Sequence, residues 1–116
     1  MSERLPKHLE DARHAASLAL GFVSGRSLEQ YRSDDLLRSA VERQVEVVGE
    51  ACRRALADAP ELRDRIPEAG LAVGMRNRLA HGYDTVDDEV VLDTVTASFP
   101  ALLSALEREL ERLGGR

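Results

Sequence analysis

Residues 34–57, DDLLRSAVERQVEVVGEACRRALA, decide the fold. Within them Leu37, Val41, Val45, Val48, Cys52 and Ala55 recur at steps of three and four, the period of an amphipathic α-helix, and Ala40, Val47 and Ala51 widen the stripe. An arc that broad is more than one partner helix needs. Ser33-Asp34-Asp35 supplies an N-cap candidate and two carboxylates where the helix dipole favours negative charge, and Pro60 breaks the helix after Ala57. On another face Glu42, Glu46 and Glu50 stack at i,i+4, with Arg43 in reach of Glu46 and Arg53 or Arg54 in reach of Glu50. Exposed pairs of this kind contribute only about 0.3 to 0.5 kcal/mol each, which leaves two readings open. The ladder is a solvated face, or Glu50 turns inward behind Gly49, whose missing Cβ admits a second backbone, and holds an arginine in place.

On the N-terminal side, Leu5, Leu9, Ala12, Ala16, Leu20 and Val23 predict a helix ending near Gly25, with Pro6 tolerable in its first turn. Ser27 and Gln30 have the spacing of a capping box and predict a short helical turn ending at Tyr31 and Arg32. On the C-terminal side, a polar connection at 58–66 leads to Pro67, which suits the first position of a helix that stops at Gly82. Leu71, Met75 and Leu79 form its apolar edge. Gly70 and Gly74 each cost about 1 kcal/mol relative to alanine in a helix interior, so another helix is expected to pack closely on their face. After a loop at 84–86, Asp87 reads as the N-cap of the last helix, with Val86 and Val91 placed as a hydrophobic staple. The apolar period then runs from Val91 through Val95, Phe99, Leu102, Leu106, Leu110 and Leu113 past Pro100, where the helix is expected to kink or split. No strand-like alternation and no internal repeat occurs. The fold class is all-α, an antiparallel bundle of four main helices in one domain spanning 1–116.

Composition narrows the function. Hydrophobic residues are 43% and charged residues 32% of 116, the balance of an ordinary globule. A formal net charge of −5 argues against coating nucleic acid by bulk electrostatics, so any polyanion site must be local, and DNA is not an expected partner. The single Cys52 excludes an intramolecular disulfide and fits a reducing cytoplasm. No uninterrupted apolar run approaches the roughly 18 residues of a membrane span, and the charged amino terminus has no signal-peptide core, so no membrane is expected. His8 and His14 lie six apart and cannot both face one ion on a regular helix; two surface histidines are the expectation, with no metal. Cys52 has no basic neighbour in its stripe to activate it. There is no phosphate-cradling glycine loop and no serine elbow, and four aromatic residues are too few for a stacking platform.

What remains is Met75-Arg76-Asn77-Arg78-Leu79-Ala80-His81-Gly82-Tyr83, with two guanidiniums, an amide, an imidazole and a phenol at a helix end. Arginine grips phosphate with a planar fork, and histidine, with an unperturbed pKa of about 6.5, suits acid or base work near neutrality. The pair points to phosphoester chemistry. RNA carries its own nucleophile, because a base that removes the 2′-hydroxyl proton lets that oxygen attack the adjacent phosphorus without a metal or other cofactor. Lacking a clear carboxylate cluster, the stretch does not suit a two-metal nuclease. The competing reading is a helix end whose cations merely face the negative pole of the dipole, stabilising by about 0.3 to 1 kcal/mol. Asn77 and His81 share a face and Arg78 lies close to it, but Arg76 is offset from His81 by five residues, about 140° around an ideal helix. Either the last turn distorts or a second chain brings the two together.

The run Arg76 to Tyr83 resembles the Arg-x4-His-x-Tyr motif of the HEPN superfamily, specifically its HepT-like toxins. The resemblance extends to Val41-Glu42-Arg43 and Gly49-Glu50-Ala51, and more loosely to Asp93-Thr94-Val95 and Pro100-Ala101-Leu102. It implies a helical homodimer that cleaves RNA as a toxin, without metal, leaving a cyclic phosphate at a composite site formed across the dimer. By the same resemblance Arg76 binds or polarises the phosphate, His81 is the base or acid, and Asn77 orients one of them. Arg78 supports the site, and Glu50 is a supporting residue without a certain counterpart. Tyr83 matches the tyrosine that a partner nucleotidyltransferase antitoxin of MNT type modifies with AMP. The alternative is a non-catalytic HEPN module that binds a nucleotidyltransferase or a nucleotide through the same cluster. Asp84, Asp87, Asp88 and Glu89 beside the site either repel RNA or attract a basic partner.

Overall fold

The broad apolar arc of the long helix is used on two sides. The computed structural model describes residues 3–81 and 86–114. Among them the order is α1 (Leu5–Val23), α2 (Leu28–Ser33), α3 (Asp35–Asp58), α4 (Leu62–Arg65), α5 (Glu68–His81), α6 (Asp88–Asp93) and α7 (Phe99–Leu113), with a π-helical segment Thr94–Ser98 joining the last two. No strand occurs among the described residues. α3 packs on α1 along one flank and on α5 along the other, while α7 closes against α1. Counting α6 to α7 as one interrupted helix, the four long elements form the all-α antiparallel bundle that the periodicity predicts. Leu5, Leu9, Val41, Val45, Val48, Leu102 and Leu106 are buried in its core, each worth about 1.5 to 3 kcal/mol of transfer free energy before ordering entropy is subtracted.

Local signals set most boundaries. The capping box of α2 is complete: Gln30 N–H donates to Ser27 Oγ at 3.1 Å and Ser27 N–H to Gln30 Oε1 at 2.9 Å. Asp34, rather than Ser33, caps α3, accepting from Leu37 N–H at 3.0 Å; Ser33 is consumed as the last residue of α2. Asp87 caps α6 by accepting from Glu89 N–H at 2.9 Å. The 58–66 connection contains one further helical turn, α4, tied down by Arg65 to the buried carboxylate of Glu109 at 3.2 Å. Arg112 also donates to Glu109, as a buried charge requires.

Two expectations about α5 fail. Of the expected apolar edge, Met75 is buried and Leu79 packs against the core, but Leu71 is 52% exposed, and Ala69 and Ala72 take the buried face in its place. Gly70 and Gly74 have nothing within 4 Å of where a Cβ would stand, so no helix among the described residues packs on them. The close approach occurs at Gly49 instead. Its added Cβ would meet the Cβ of Arg76 at 2.1 Å and the carbonyl oxygen of Ala72 at 2.7 Å.

The last helix divides before Pro100. A proline cannot donate to the carbonyl four residues back, and the chain absorbs this by widening into the π segment, so that α7 begins at Phe99 with Pro100 in its first turn, where no N–H is needed. Thr94 and Thr96 hydroxyls donate to the carbonyls of Val90 and Leu92 at 2.8 and 2.9 Å. Within Asp88–Leu113 an 18-residue window has a mean hydropathy of 1.4, and the helix is long and apolar enough to cross a membrane by length and composition. Its packing accounts for that composition, since Val91, Val95, Phe99, Leu102 and Leu106 are all buried in the bundle.

Gly49→Ala should therefore destabilise by about 1 to 3 kcal/mol through overpacking, whereas Gly21→Ala, with open space around it, should be neutral or stabilise by up to about 1 kcal/mol. Urea unfolding of both variants measures this; equal effects would contradict the Gly49 contact.

Candidate active site

The α3–α5 contact positions the arginine. With Gly49 lying under Arg76, the two helices meet closely enough for Arg76 Nη2 to reach Glu50 Oε1 at 3.6 Å. Arg76 Nη1 also donates to Asn77 Oδ1 at 3.1 Å. Both side chains of the Arg76–Glu50 pair are 28% exposed, so they are screened less than a surface pair yet open to a ligand. Glu50 is not reserved for Arg76. Arg53 donates two hydrogen bonds to it, at 3.0 and 2.8 Å, and Arg54 one at 2.9 Å. The hydrogen bond from Arg53, joined by that from Arg54 and by the charge of both, holds the Glu50 carboxyl down at about 2 against the opposing effect of burial. One carboxylate among three guanidiniums leaves a locally cationic cluster on an acidic chain.

His81 ends α5 and is exposed, as are Asn77 and Arg78. The helix stays α-helical through His81, so within one chain the 140° offset between Arg76 and His81 is not removed by a distorted last turn. Arg76 leans back onto α3 while His81 faces outward. Gly82 and Tyr83, expected as the helix stop and the modification site, lie outside the described residues, as does Asp84.

The acidic neighbourhood is partly neutralised within the fold. Asp87 is spent as a cap, Asp88 lies 3.9 Å from Arg38, and Glu89 lies 3.9 Å from Arg32. Arg38 in addition bonds Asp35 at 2.5 Å and the carbonyl of Arg32, tying α2, α3 and α6 together behind the site. Burial, then Asp88, raises the Glu42 carboxyl above its usual range. Burial also pushes the Cys52 thiol up to about 12, leaving it un-ionised near neutrality.

Sequence reasoning missed His8. Expected on the surface, it has a side chain only 13% exposed, 3.5 Å from Asp58 Oδ2. The missing signal is tertiary, because Asp58 is fifty positions away. His8 and Asp11 on α1, Arg43, Glu46 and Arg54 on α3, and Arg76 on α5 line one groove of about 310 Å³.

The chain is similar to known proteins over most of its length. The family model described as Ribonuclease HepT-like matches residues 12–109. A Thermococcus cleftensis protein provisionally named ribonuclease HepT is 33% identical over 101 residues, covering 87% of this chain and 91% of that protein. A Caldanaerobacter subterraneus protein provisionally named an RNase is 27% identical over 105 residues, covering 90% and 93%. Another provisionally named RNase, from Methanocaldococcus jannaschii, is 30% identical over 97 residues, covering 84% and 79%. No solved structure matches.

The depressed Glu50 carboxyl makes a pH prediction. Its ion pairing contributes stability in full above the ordinary carboxylate value of about 4.5 and loses it as pH falls toward 2. The thermal midpoint of the wild type should exceed that of Glu50→Gln at pH 7, and the gap should close by about pH 2. A gap that does not change with pH would contradict the assignment.

Proposed function

The chain belongs to the HepT-like ribonuclease family, and on that premise we propose that it is a metal-independent endoribonuclease, the toxin of a pair controlled by a nucleotidyltransferase antitoxin. The observation that carries the chemistry is the Arg76 guanidinium, held on Glu50 and Asn77 at the edge of an open groove five residues before an exposed histidine. An arginine so held is pre-aimed, and it loses little freedom when a phosphate arrives.

In the proposed reaction His81 accepts the proton of a ribose 2′-hydroxyl, and the 2′-oxygen forms a bond to the adjacent phosphorus. The bond from phosphorus to the 5′-oxygen breaks, and that oxygen takes a proton from water, to which His81 then gives up the proton it accepted. The products are a 2′,3′-cyclic phosphate and a 5′-hydroxyl. Arg76 stabilises the charge that builds on the non-bridging oxygens, Asn77 fixes its fork, and Arg78 adds positive potential.

An undistorted α5 keeps Arg76 and His81 of one protomer apart, which favours a homodimer in which Arg76 of one chain works with His81 of the partner subunit. Leu71, 52% exposed on α5, provides apolar surface for such contact. Tyr83 follows closely on His81 in sequence, and AMP attached there would place a phosphate and a base at the site and block it. We propose that the whole chain is one domain acting in the cytoplasm on RNA rather than DNA.

Purified protein incubated with RNA in EDTA tests this reading. His81→Ala should lower the cleavage rate by at least about 100-fold while light scattering still shows a dimer; cleavage that survives the substitution would sink the mechanism. Incubation with a cognate nucleotidyltransferase and ATP should add AMP at Tyr83, read by peptide mass spectrometry. Addition elsewhere refutes the tyrosine assignment, and AMP addition to a protein that never cleaves RNA favours the non-catalytic module.

A further inference from the structure

The groove beside Arg76 contains groups that the cleavage chemistry does not use. Its floor is the outer face of α3, with α1 and α5 as walls. At about 310 Å³ it has the size of a small-ligand pocket. Most of its charges are already matched. Asp11 is bound by Lys7 at 2.7 Å, His8 faces Asp58, and Glu50 and Arg54 bind each other. Arg43 and Glu46 differ: among the described residues neither forms an ion pair, although both lie on the groove floor. An arginine left unpaired in a groove of a net-acidic protein is available to an anion from solution.

The helix register says which anion. Gly49 lies against Arg76 in an antiparallel pair, so position 44 of α3 stands at about the height of His81. Arg43 therefore lies at the His81 end of the groove, about two helical turns, roughly 10 Å, along α3 from Glu50, where Arg76 is held. At that separation one phosphate does not bridge both arginines at their rest positions, and each takes its own. Between them Val47 offers an apolar surface to a ribose or base. Glu46 is an unpaired acceptor one turn from Arg43, and a 2′-hydroxyl is the donor that an RNA strand presents and a DNA strand lacks.

We propose that this groove is a second nucleotide subsite, in which Arg43 binds the phosphate next to the scissile one and Glu46 accepts a hydrogen bond from a ribose 2′-hydroxyl. The inference rests on the ribonuclease reading and adds to it a path for the strand, along α3 from Arg76 to Arg43.

Binding can be read apart from cleavage in a His81→Ala background, using a fluorescein-labelled mixed-sequence RNA decamer in EDTA and anisotropy at several salt concentrations. Each phosphate contact on a single strand contributes about 0.7 to the slope of log affinity against log salt. Adding Arg43→Ala should lower that slope by about 0.7 and Arg43→Lys should retain it. Arg13→Ala, on the outside of α1, should leave it unchanged. Glu46→Ala should narrow the preference for RNA over the DNA decamer of the same sequence. If Arg43→Ala folds by circular dichroism and keeps the parent slope while Arg76→Ala weakens binding, the subsite is refuted and the ribonuclease reading stands. If wild-type protein neither binds nor cleaves RNA, that reading fails and the subsite with it.

Discussion

At Gly49 two helices come so close that an added Cβ would clash with the Arg76 stem and the Ala72 carbonyl, and the site depends on that contact. A side chain there would hold α5 away from α3 and withdraw Arg76 from Glu50. Because α3 also packs on α1, the same rigid helix sets both walls of the groove. The energetic logic is ordinary: apolar burial along α3 supports the bundle, and one missing Cβ converts part of that packing into a held guanidinium.

The arrangement also explains how an acidic chain can present a site for a polyanion. Net charge governs long-range attraction, whereas a cleft responds to the groups within a Debye length, about 8 Å at physiological salt. Glu50 is surrounded by Arg53, Arg54 and Arg76, and the acidic residues at the start of α6 are occupied by a cap and by Arg38 and Arg32. The negative charge of the sequence is thus distributed where it holds arginines in place.

Much of this was legible in the residues alone. Signals that are local in sequence held to within a residue or two, as with the Ser27–Gln30 box, the Asp87 cap and the apolar stripe of α3. What was not legible depended on which of two possible faces a helix turns inward. In α5 the larger Leu71 suggested the edge, yet Ala69 and Ala72 face α3, since close approach at Gly49 leaves no room for leucine. The same displacement leaves Gly70 and Gly74 open. Pro100 announced an interruption, but the π segment that absorbs it lies just upstream, because a missing N–H is felt by the carbonyl of the preceding turn. Arg53 and Arg54 on Glu50 are the local pairs that helical spacing contains, whereas His8 meeting Asp58 and Arg76 reaching Glu50 are tertiary outcomes.

In the proposed dimer the held arginine of one chain works with the exposed histidine of another. Co-expressing Arg76→Ala and His81→Ala chains and assaying RNA cleavage in EDTA tests it most directly. Each variant alone should be inactive, and the mixture should recover about a quarter of wild-type activity, since half of the symmetric dimers are mixed and each keeps one of two sites intact. A mixture as inactive as its components would contradict pairing across chains.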